Sequence, residues 1–187
     1  QAIHTPGHTL ESTCYLLKDA EGKSKALFSG DTLFIGDVGR PDLAQQGLTM
    51  TKEDLAGILY DSLRQKVMKL DPSTIIYPAH GAGSACGKKM SSETSDTLGN
   101  QLEANYALRA DMTKDEFIAE VLDGLGDPPG YFSANVRLNQ EGYEHVDTLL
   151  SQSNDSYLSP DQFEELANQE HPLMLDVRTV EEFSRAH

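Results

Sequence analysis

Residues 26–34 have the sequence Ala26-Leu27-Phe28-Ser29-Gly30-Asp31-Thr32-Leu33-Phe34. The first four predict a strand, and Gly30-Asp31 ends it. Upstream, Ser12 to Lys18 predicts a neighbouring strand, and the turn Asp19-Ala20-Glu21-Gly22 joins the two. The chain therefore starts with strand, turn, strand, and an aspartate lies where the second strand ends.

Helical and strand patterns alternate beyond this hairpin. Apolar residues at helical spacing predict a helix from about Lys52 to Lys69. Thr51 and Asp54 form its capping box, and Asp71-Pro72 ends it. A short buried strand follows at Thr74-Ile75-Ile76-Tyr77. Together these elements predict an α/β fold.

Two more helices are predicted after a loop rich in glycine and serine. The first covers roughly Glu93 to Leu108, and the second starts at Thr113 with Glu116 as its capping partner. Gly130 to Ser156 is rich in Asn, Gln, Ser and Gly, which is typical of a connection between domains.

A new pattern begins near Tyr157. Ser159 caps a helix, Leu173-Met174-Leu175-Asp176-Val177 predicts a buried strand, and Thr179-Val180-Glu181-Glu182 is a capping box. About 30 residues are too few to bury a core of their own. The predicted organisation is a first domain at 1–130, a linker at 131–156 and the N-terminal fragment of another domain at 157–187.

Composition limits the function classes. The 30 acidic and 15 basic side chains give a formal net charge of −15 over 187 residues, which repels phosphate backbones and argues against a nucleic-acid partner. No stretch is long and apolar enough to span a membrane. The only cysteines, Cys14 and Cys86, form no disulfide framework and predict a reducing, cytoplasmic setting. A small-molecule substrate is expected, and a homo-oligomer is left open.

Histidine and aspartate clusters lie at strand ends or turns. They are His4-Thr5-Pro6-Gly7-His8-Thr9, Ser29-Gly30-Asp31-Thr32 and Tyr77-Pro78-Ala79-His80-Gly81. Ligand sites in α/β sheets gather at such edges. Two imidazoles and one carboxylate match a catalytic metal site. Each cluster alone is weak evidence, because a single histidine or a turn aspartate is more often structural.

Taken together and in this order, the clusters resemble the metallo-β-lactamase superfamily over roughly residues 1 to 110. The resemblance implies that His8, Asp31 and His80 are metal ligands, with Asp31 bridging two metals in hydrolases. It implies half of an αββα sandwich. The family's first metal motif, His-x-His-x-Asp-His, does not occur in the chain. We expect that motif upstream of Gln1, in a larger parent protein, and we expect the chain alone to be inactive.

The turn Gly39-Arg40-Pro41-Asp42 resembles the Gly-Arg-x-Asp turn of persulfide dioxygenases and of glyoxalase II-like enzymes. For Arg40 and Asp42, an internal ion pair and a substrate role are both open. The loop from Gly81 to Lys88 resembles that of bacterial persulfide dioxygenases fused to rhodanese domains. Its Cys86 either faces the pocket as a catalytic residue or is a buried, inert thiol.

The C-terminal piece resembles the opening of a rhodanese-like α/β domain. The resemblance rests on Tyr157-Leu158-Ser159-Pro160, on the strand ending at Val177-Arg178, on Glu181-Glu182-Phe183 and on His187. It implies that Asp176 and Arg178 form a structural pair, and that the sulfurtransferase cysteine lies further downstream.

The parent protein is therefore expected to oxidise a low-molecular-weight thiol persulfide to sulfite with O₂, using one Fe(II). In that reaction His80 lies near the iron without binding it. One alternative is a Zn(II)-dependent thioester hydrolase of the glyoxalase II (hydroxyacylglutathione hydrolase) kind. A second alternative is a non-catalytic interaction fragment. Under either metal reading, His8, Asp31 and His80 are expected to converge on one space.

Overall fold

The computed structural model describes residues 1–43, 50–127, 130–152, 158–170, 173 and 175–185. The chain divides into two compact units, Gln1–Gly142 and Tyr143–His187.

The first unit is built on a five-stranded mixed sheet in the order β1-β2-β3-β6-β7. All its neighbouring strands are antiparallel except β3 and β6, which run parallel. Two further strands, β4 and β5, form a short hairpin directly after β3. The strands are β1 (Ala2–His4), β2 (Thr13–Lys18), β3 (Ser24–Gly30), β4 (Leu33–Phe34), β5 (Asp37–Val38), β6 (Ile75–Pro78) and β7 (Asp96–Thr97).

Helices follow the strands in the first unit, and α1 and α3 pack against each other. Thr51 and Asp54 form the capping box of α1, and Thr113 and Glu116 form that of α3, which confirms both predicted helix starts. The helices are α1 (Lys52–Gln65), α2 (Leu98–Ala104), α3 (Lys114–Leu122) and α4 (Phe132–Glu141), with short 3₁₀ turns at Val67–Lys69 and Tyr106–Leu108.

One hydrophobic core joins the sheet to α1, α2 and α3. Leu27 of β3 and Ile76 of β6 contribute fully buried side chains, as do Leu59 of α1 and Phe117 of α3. Because strand side chains alternate, the residues between the buried ones point to the opposite face of the sheet. The predicted apolar stripe of α1 packs in this core, since Leu59 and Leu63 belong to the same cluster as the buried strand residues.

That opposite face is apolar and open to solvent. Tyr15 and Phe28 are cross-strand neighbours, and Phe28 stacks on Tyr77 with ring centroids 5.6 Å apart. The exposed residues of the face are Tyr15, Leu17, Phe28, Ile75 and Tyr77. The strand predicted as buried at 74–77 is consequently buried on one side only, since Thr74 and Ile76 are buried whereas Ile75 and Tyr77 are not.

The predicted helix from Glu93 to Leu108 is shorter in the structure. Residues Asp96–Thr97 pair with Ile75–Ile76 as strand β7, and the helix begins only at Leu98. Thr97 is the residue that caps it, because its hydroxyl accepts the Asn100 amide.

The second unit contains α5 (Val146–Gln152), α6 (Pro160–Glu170) and α7 (Val180–Arg185). Ser159 caps α6 by accepting the Gln162 amide, and Thr179 and Glu182 form the capping box of α7, as predicted. The stretch predicted as a connection thus contains two helices, α4 and α5, and the two units divide at Gly142 within it.

The buried strand predicted at 173–177 is absent from the residues that the structure describes there. Leu173, Leu175 and Val177 are 92%, 78% and 88% exposed and form no ladder. A strand needs a hydrogen-bonded neighbour, and the described part of this unit offers none. Met174, Tyr157 and His187 lie outside the described residues. Asp176 and Arg178 do form an ion pair, with 2.6 Å between Oδ2 and Nη2.

Among the helices in the described ranges, none combines the length and the apolar character needed to cross a bilayer.

Candidate metal centre

His8 is placed by the turn that follows β1. Gly7 has a φ of 143°, and a Cβ there would lie 2.4 Å from Leu59 Cα, so only glycine fits this close approach to α1. His8 is 8% exposed, and its Nδ1 lies 2.7 Å from the Arg40 carbonyl oxygen. Because a carbonyl only accepts, Nδ1 carries the hydrogen, and the Nε2 lone pair remains available for a metal.

Asp31 follows β3 directly and lies between two histidines. Its Oδ2 is 3.4 Å from His8 Nε2, and its Oδ1 is 3.2 Å from His80 Nε2. Oδ1 is buried and has no hydrogen-bond partner, so the approach of His80 is not aligned as a hydrogen bond. A buried carboxylate oxygen without a partner is costly unless a ligand satisfies it.

His80 reaches Asp31 because β3 and β6 are parallel neighbours. The carboxyl ends of parallel strands meet at one edge of a sheet, and the Ala79 amide donates to the Gly30 carbonyl at 3.1 Å. The His80 side chain is 41% exposed, so the edge is open to solvent. The structure thus brings His8, Asp31 and His80 together.

Cys86 lies on the loop after His80 and joins this group. Its Sγ and the ligand atoms of Asp31 and His80 all lie within 4.8 Å of one another, the one such cluster found in the described residues. Partial burial raises the pKa of the Cys86 thiol. Cys14, by contrast, is fully buried in the core and hydrogen-bonded to Thr5 and the Ser29 carbonyl.

The guanidinium of Arg40 is occupied by protein groups. It donates to Asp42 at 3.0 and 2.6 Å, to the Ala85 carbonyl at 3.4 Å and to the Gly126 carbonyl at 2.6 Å. The hydrogen bonds to Asp42 raise the pKa of Arg40. With Arg40 only 7% exposed, this geometry favours the internal ion pair over direct contact with a substrate.

Two other polar side chains of these segments also bind within the protein. His4 Nε2 lies 2.7 Å from the Leu10 carbonyl, as a local structural histidine would. Lys88 Nζ donates to the carbonyls of Glu120 and Asp123 at the end of α3. Neither side chain is directed to the metal group.

Asp37 is a residue of the site region that sequence reasoning missed. It is fully buried, and its Oδ2 accepts the amides of Lys88 and Lys89, each at 2.6 Å. Its Oδ1 accepts the Val38 amide and the Tyr106 hydroxyl, both at 2.8 Å. The two hydrogen bonds from Lys88 and Lys89 hold the Cys86 loop to the β4–β5 hairpin, and no local pattern in the sequence signals them.

The residues present fit a metal ion. Two imidazoles each approach a different oxygen of the Asp31 carboxylate, and one of these oxygens lacks a hydrogen-bond partner. The Arg40 carbonyl holds Nδ1 of His8, which leaves its Nε2 directed at the carboxylate. This donor set suits zinc and iron(II) alike.

The chain is similar in sequence to proteins of known family. A probable metallo-hydrolase of Burkholderia pseudomallei is 31% identical over 145 residues, which cover 74% of this chain and 46% of that protein. A hydroxyacylglutathione hydrolase of Francisella tularensis subsp. novicida is 39% identical over 80 residues, covering 43% and 27%. No family model matches the chain. The chain spans less than half the length of either of these two curated relatives.

Two solved structures share the fold. A metallo-β-lactamase of Staphylococcus aureus has a TM-score of 0.67 and 34% identity, with 77% of this chain and 40% of that one covered. The protein ETHE1 of Myxococcus xanthus has a TM-score of 0.56 and 26% identity, with 75% and 52% covered.

Proposed function

We propose, because sequence relatives and solved structures support a place for this chain in the metallo-β-lactamase superfamily, that it carries part of the metal centre of a persulfide dioxygenase. The parent enzyme would oxidise a low-molecular-weight thiol persulfide to sulfite with O₂. His8 and Asp31 would supply two of three iron(II) ligands, and chain outside this sequence would supply the third.

The observation that carries the proposal is the orientation of His8 against Asp31. The Arg40 carbonyl fixes the imidazole so that Nε2 faces the carboxylate at 3.4 Å. A histidine nitrogen and a carboxylate that face each other would supply two of the three ligands in the facial triad of a non-haem iron site. When bound, the iron would supply the site at which O₂ and the substrate sulfur meet.

The remaining residues of the site would position the reactants. Arg40 and Asp42 would fix the loop that carries the His8-binding carbonyl, and His80 would line the open edge beside the iron. Because His80 is 41% exposed, it has room to contact a bound substrate.

The second unit supports a sulfur-handling parent. We propose that residues from about 157 onward open a rhodanese-like domain, on the motif resemblance and on the Asp176–Arg178 ion pair. A sulfur-transferring neighbour suits an enzyme that consumes persulfide. The two cysteines, both free and neither near the other, suit a cytoplasmic location.

A zinc-dependent thioester hydrolase is the second candidate, and two distances favour it. Asp31 has a histidine within 3.4 Å of each of its two oxygens, as a carboxylate bridging two ions would. The hydroxyacylglutathione hydrolase relative points the same way. In that case His80 is a ligand and not a neighbour.

The full-length parent, reconstituted anaerobically with iron or zinc, separates the candidates. We expect the iron form to consume O₂ with glutathione persulfide and neither form to hydrolyse a glutathione thioester. His80→Ala should retain one iron per chain, and the matched variant His4→Ala should behave as wild type. Two zinc ions with thioester hydrolysis, no O₂ uptake by the iron form and loss of one ion in His80→Ala would instead establish the hydrolase. A folded parent that retains neither iron nor zinc after reconstitution, and shows neither activity, would support the non-catalytic alternative.

A further inference from the structure

A buried pair of threonines connects the segment of His8 with the turn of Asp31. Thr5 Oγ1 lies 2.9 Å from Thr32 Oγ1, and both residues are buried. Thr5 precedes His8 by three residues, and Thr32 follows Asp31 directly. Their hydrogen bond is therefore a direct side-chain link between the two segments that carry the proposed metal ligands.

The link continues from Thr5 into β2 and returns to the turn of Asp31. Thr5 Oγ1 also lies 3.3 Å from Cys14 Sγ, and the Cys14 thiol donates to the Ser29 carbonyl at 3.4 Å. The Thr32 amide donates to that same carbonyl at 3.0 Å. When Thr32 donates to Thr5 and Thr5 to Cys14, every hydrogen in the chain has an acceptor. The four residues thus form a closed and satisfied polar ring.

The contribution of this polar ring to stability is expected to be small. A buried pair of hydroxyls loses its hydration on folding, and its hydrogen bond does little more than offset that loss, so two apolar side chains of the same shape would be nearly neutral. What hydroxyls add is geometry, because a hydrogen bond fixes both a distance and an angle between two groups. A satisfied buried network therefore favours one arrangement of the segments that it joins.

The two joined segments depend on different elements of the fold. The segment of His8 is attached to α1, since the Ser62 hydroxyl donates to the Pro6 carbonyl at 2.7 Å. Asp31 follows β3, so its position depends on the sheet. A small shift of α1 against the sheet would change the 3.4 Å between His8 Nε2 and Asp31 Oδ2. The hydrogen bond of the threonine pair opposes such a shift.

We propose that Thr5 and Thr32 are positioning residues of the metal centre, and that their hydrogen bond sets the spacing of His8 from Asp31. Neither hydroxyl is among the proposed ligands, and each acts through the ligand on its own segment. Loosening the spacing should weaken metal binding about 10–100-fold, the range found for groups that support metal ligands. The inference rests on the metal centre of the proposed function but not on the persulfide reaction.

The double variant Thr5→Val/Thr32→Val in the full-length parent tests the proposal. It leaves no buried partner unpaired, because the Cys14 thiol still donates to the Ser29 carbonyl. Co²⁺ is the probe, since its visible absorption changes with the geometry of its ligands and competition with a chelator gives its affinity. We expect Co²⁺ to bind about 10–100-fold more weakly and with altered absorption. Urea unfolding of the metal-free protein should remain close to wild type.

Two further variants separate positioning from a general effect of the substitution. Thr5→Ser keeps the hydroxyl and should bind Co²⁺ much as wild type does. Thr74→Val is the matched control, because Thr74 is also buried and its hydroxyl has no hydrogen-bond partner within the described ranges. It should change neither the affinity for Co²⁺ nor the absorption.

The results that would overturn the proposal are distinct from failure of the proposed function. Unchanged Co²⁺ affinity in the folded double variant would overturn it, as would an equal loss of affinity in Thr5→Ser or Thr74→Val. A metal-free double variant destabilised as strongly as its binding is weakened would reduce the pair to a structural role. A folded wild-type parent that binds no Co²⁺ would refute the metal centre and this inference together. Normal Co²⁺ binding without O₂ uptake by the iron form would contradict the persulfide reaction alone.

Discussion

His8 is oriented by a main-chain atom of Arg40: its Nδ1 lies 2.7 Å from the Arg40 carbonyl oxygen, and its Nε2 consequently faces Asp31. The side chain of the same arginine binds Asp42 and the carbonyls of Ala85 and Gly126. One residue therefore connects His8, a proposed metal ligand, to the loop on the other side of the site. A substitution that moves Arg40 should therefore change both the orientation of His8 and the position of the loop at Ala85.

The buried ion pair of Arg40 and Asp42 should contribute strongly to stability. Both side chains are nearly inaccessible, at 8% and 12%, so Arg40→Ala would leave an unpaired buried carboxylate. We expect a loss of about 3 kcal/mol in the free energy of unfolding, measured with urea, and a smaller loss in the double variant Arg40→Ala/Asp42→Ala.

The exposed pair of Arg109 and Asp111 provides a matched control with the same two-residue spacing. Its side chains are 57% and 77% exposed, so Arg109→Ala should lower the free energy of unfolding far less than Arg40→Ala does. Equal losses in the two alanine variants would contradict the account of Arg40 as a buried anchor.

Gly39 should tolerate no side chain. A Cβ there would lie 1.8 Å from the Asp31 carbonyl oxygen and 3.1 Å from His8 Nδ1. Gly39→Ala is therefore expected to displace both proposed ligands and to lower metal affinity, as measured by competition with a chelator. Gly126→Ala serves as the comparison, because a Cβ at Gly126 meets nothing within 4 Å. Similar affinities in the two variants would show that the approach of Gly39 to Asp31 is unimportant.

Asp37 should control how well the Cys86 loop is ordered. In Asp37→Asn, an amide nitrogen must replace one of two carboxylate oxygens that each accept a backbone N–H, so at least one hydrogen bond from Val38, Lys88 or Lys89 is lost. We expect a loss of about 3 kcal/mol in stability and faster alkylation of Cys86 by iodoacetamide. Asp61→Asn, at an exposed ion pair with Lys114, should alter neither quantity.

Tyr106 makes the first unit sensitive to alkaline pH. Burial and the neighbouring Asp37 carboxylate raise the pKa of the Tyr106 phenol. A raised folded-state pKa contributes stability that is complete below the unfolded pKa of about 10 and is lost as pH rises above it. We therefore expect unfolding free energy to fall above about pH 10.

Tyr106→Phe should remove that alkaline loss while costing about 1–2 kcal/mol at neutral pH, because the hydroxyl donates to Asp37 at 2.8 Å. Tyr15→Phe, at a 60% exposed tyrosine, should leave the pH profile unchanged. Denaturant unfolding followed by circular dichroism between pH 7 and about 11 measures both. An unchanged alkaline profile in Tyr106→Phe would reject this assignment.

Metal binding should stabilise the first unit. An ion that binds only the folded state at 100 times its Kd adds about 2.7 kcal/mol. Thermal unfolding with and without Zn²⁺, and after chelation, should show this increase in wild type and in His4→Ala. It should be much reduced in Asp31→Ala, since Asp31 touches both proposed ion positions.

Sequence predicted best what neighbouring residues decide. The capping boxes at Thr51 and Thr113, the stripe of α1 and the ends of β3 and β6 depend on side chains within a few positions of one another. The convergence of Asp31 with His80 followed from one topological rule, the shared edge of parallel strands. Where the sequence left two roles open, partners far along the chain favour one of them. The guanidinium of Arg40, for example, donates to the carbonyl of Gly126, which leaves it less free to contact a substrate.

Two errors have the same physical origin. The stretch at 173–177 has the composition of a buried strand, but burial requires neighbouring strands that the described part of its unit does not provide. Asp37 was missed because its partners, Lys88 and Lys89, contribute only backbone amides, which every residue type but proline carries.

The parallel pairing of β3 with β6 also determines when the metal group can assemble. Asp31 and His80 meet only after α1 has crossed over and β6 has docked beside β3, a non-local step that closes a long loop at an entropic cost. Early folding intermediates would therefore lack the complete ligand set. If this pairing forms after the rate-limiting step, adding an ion should slow unfolding and leave the refolding rate almost unchanged; if the pairing is that step, the ion should speed refolding.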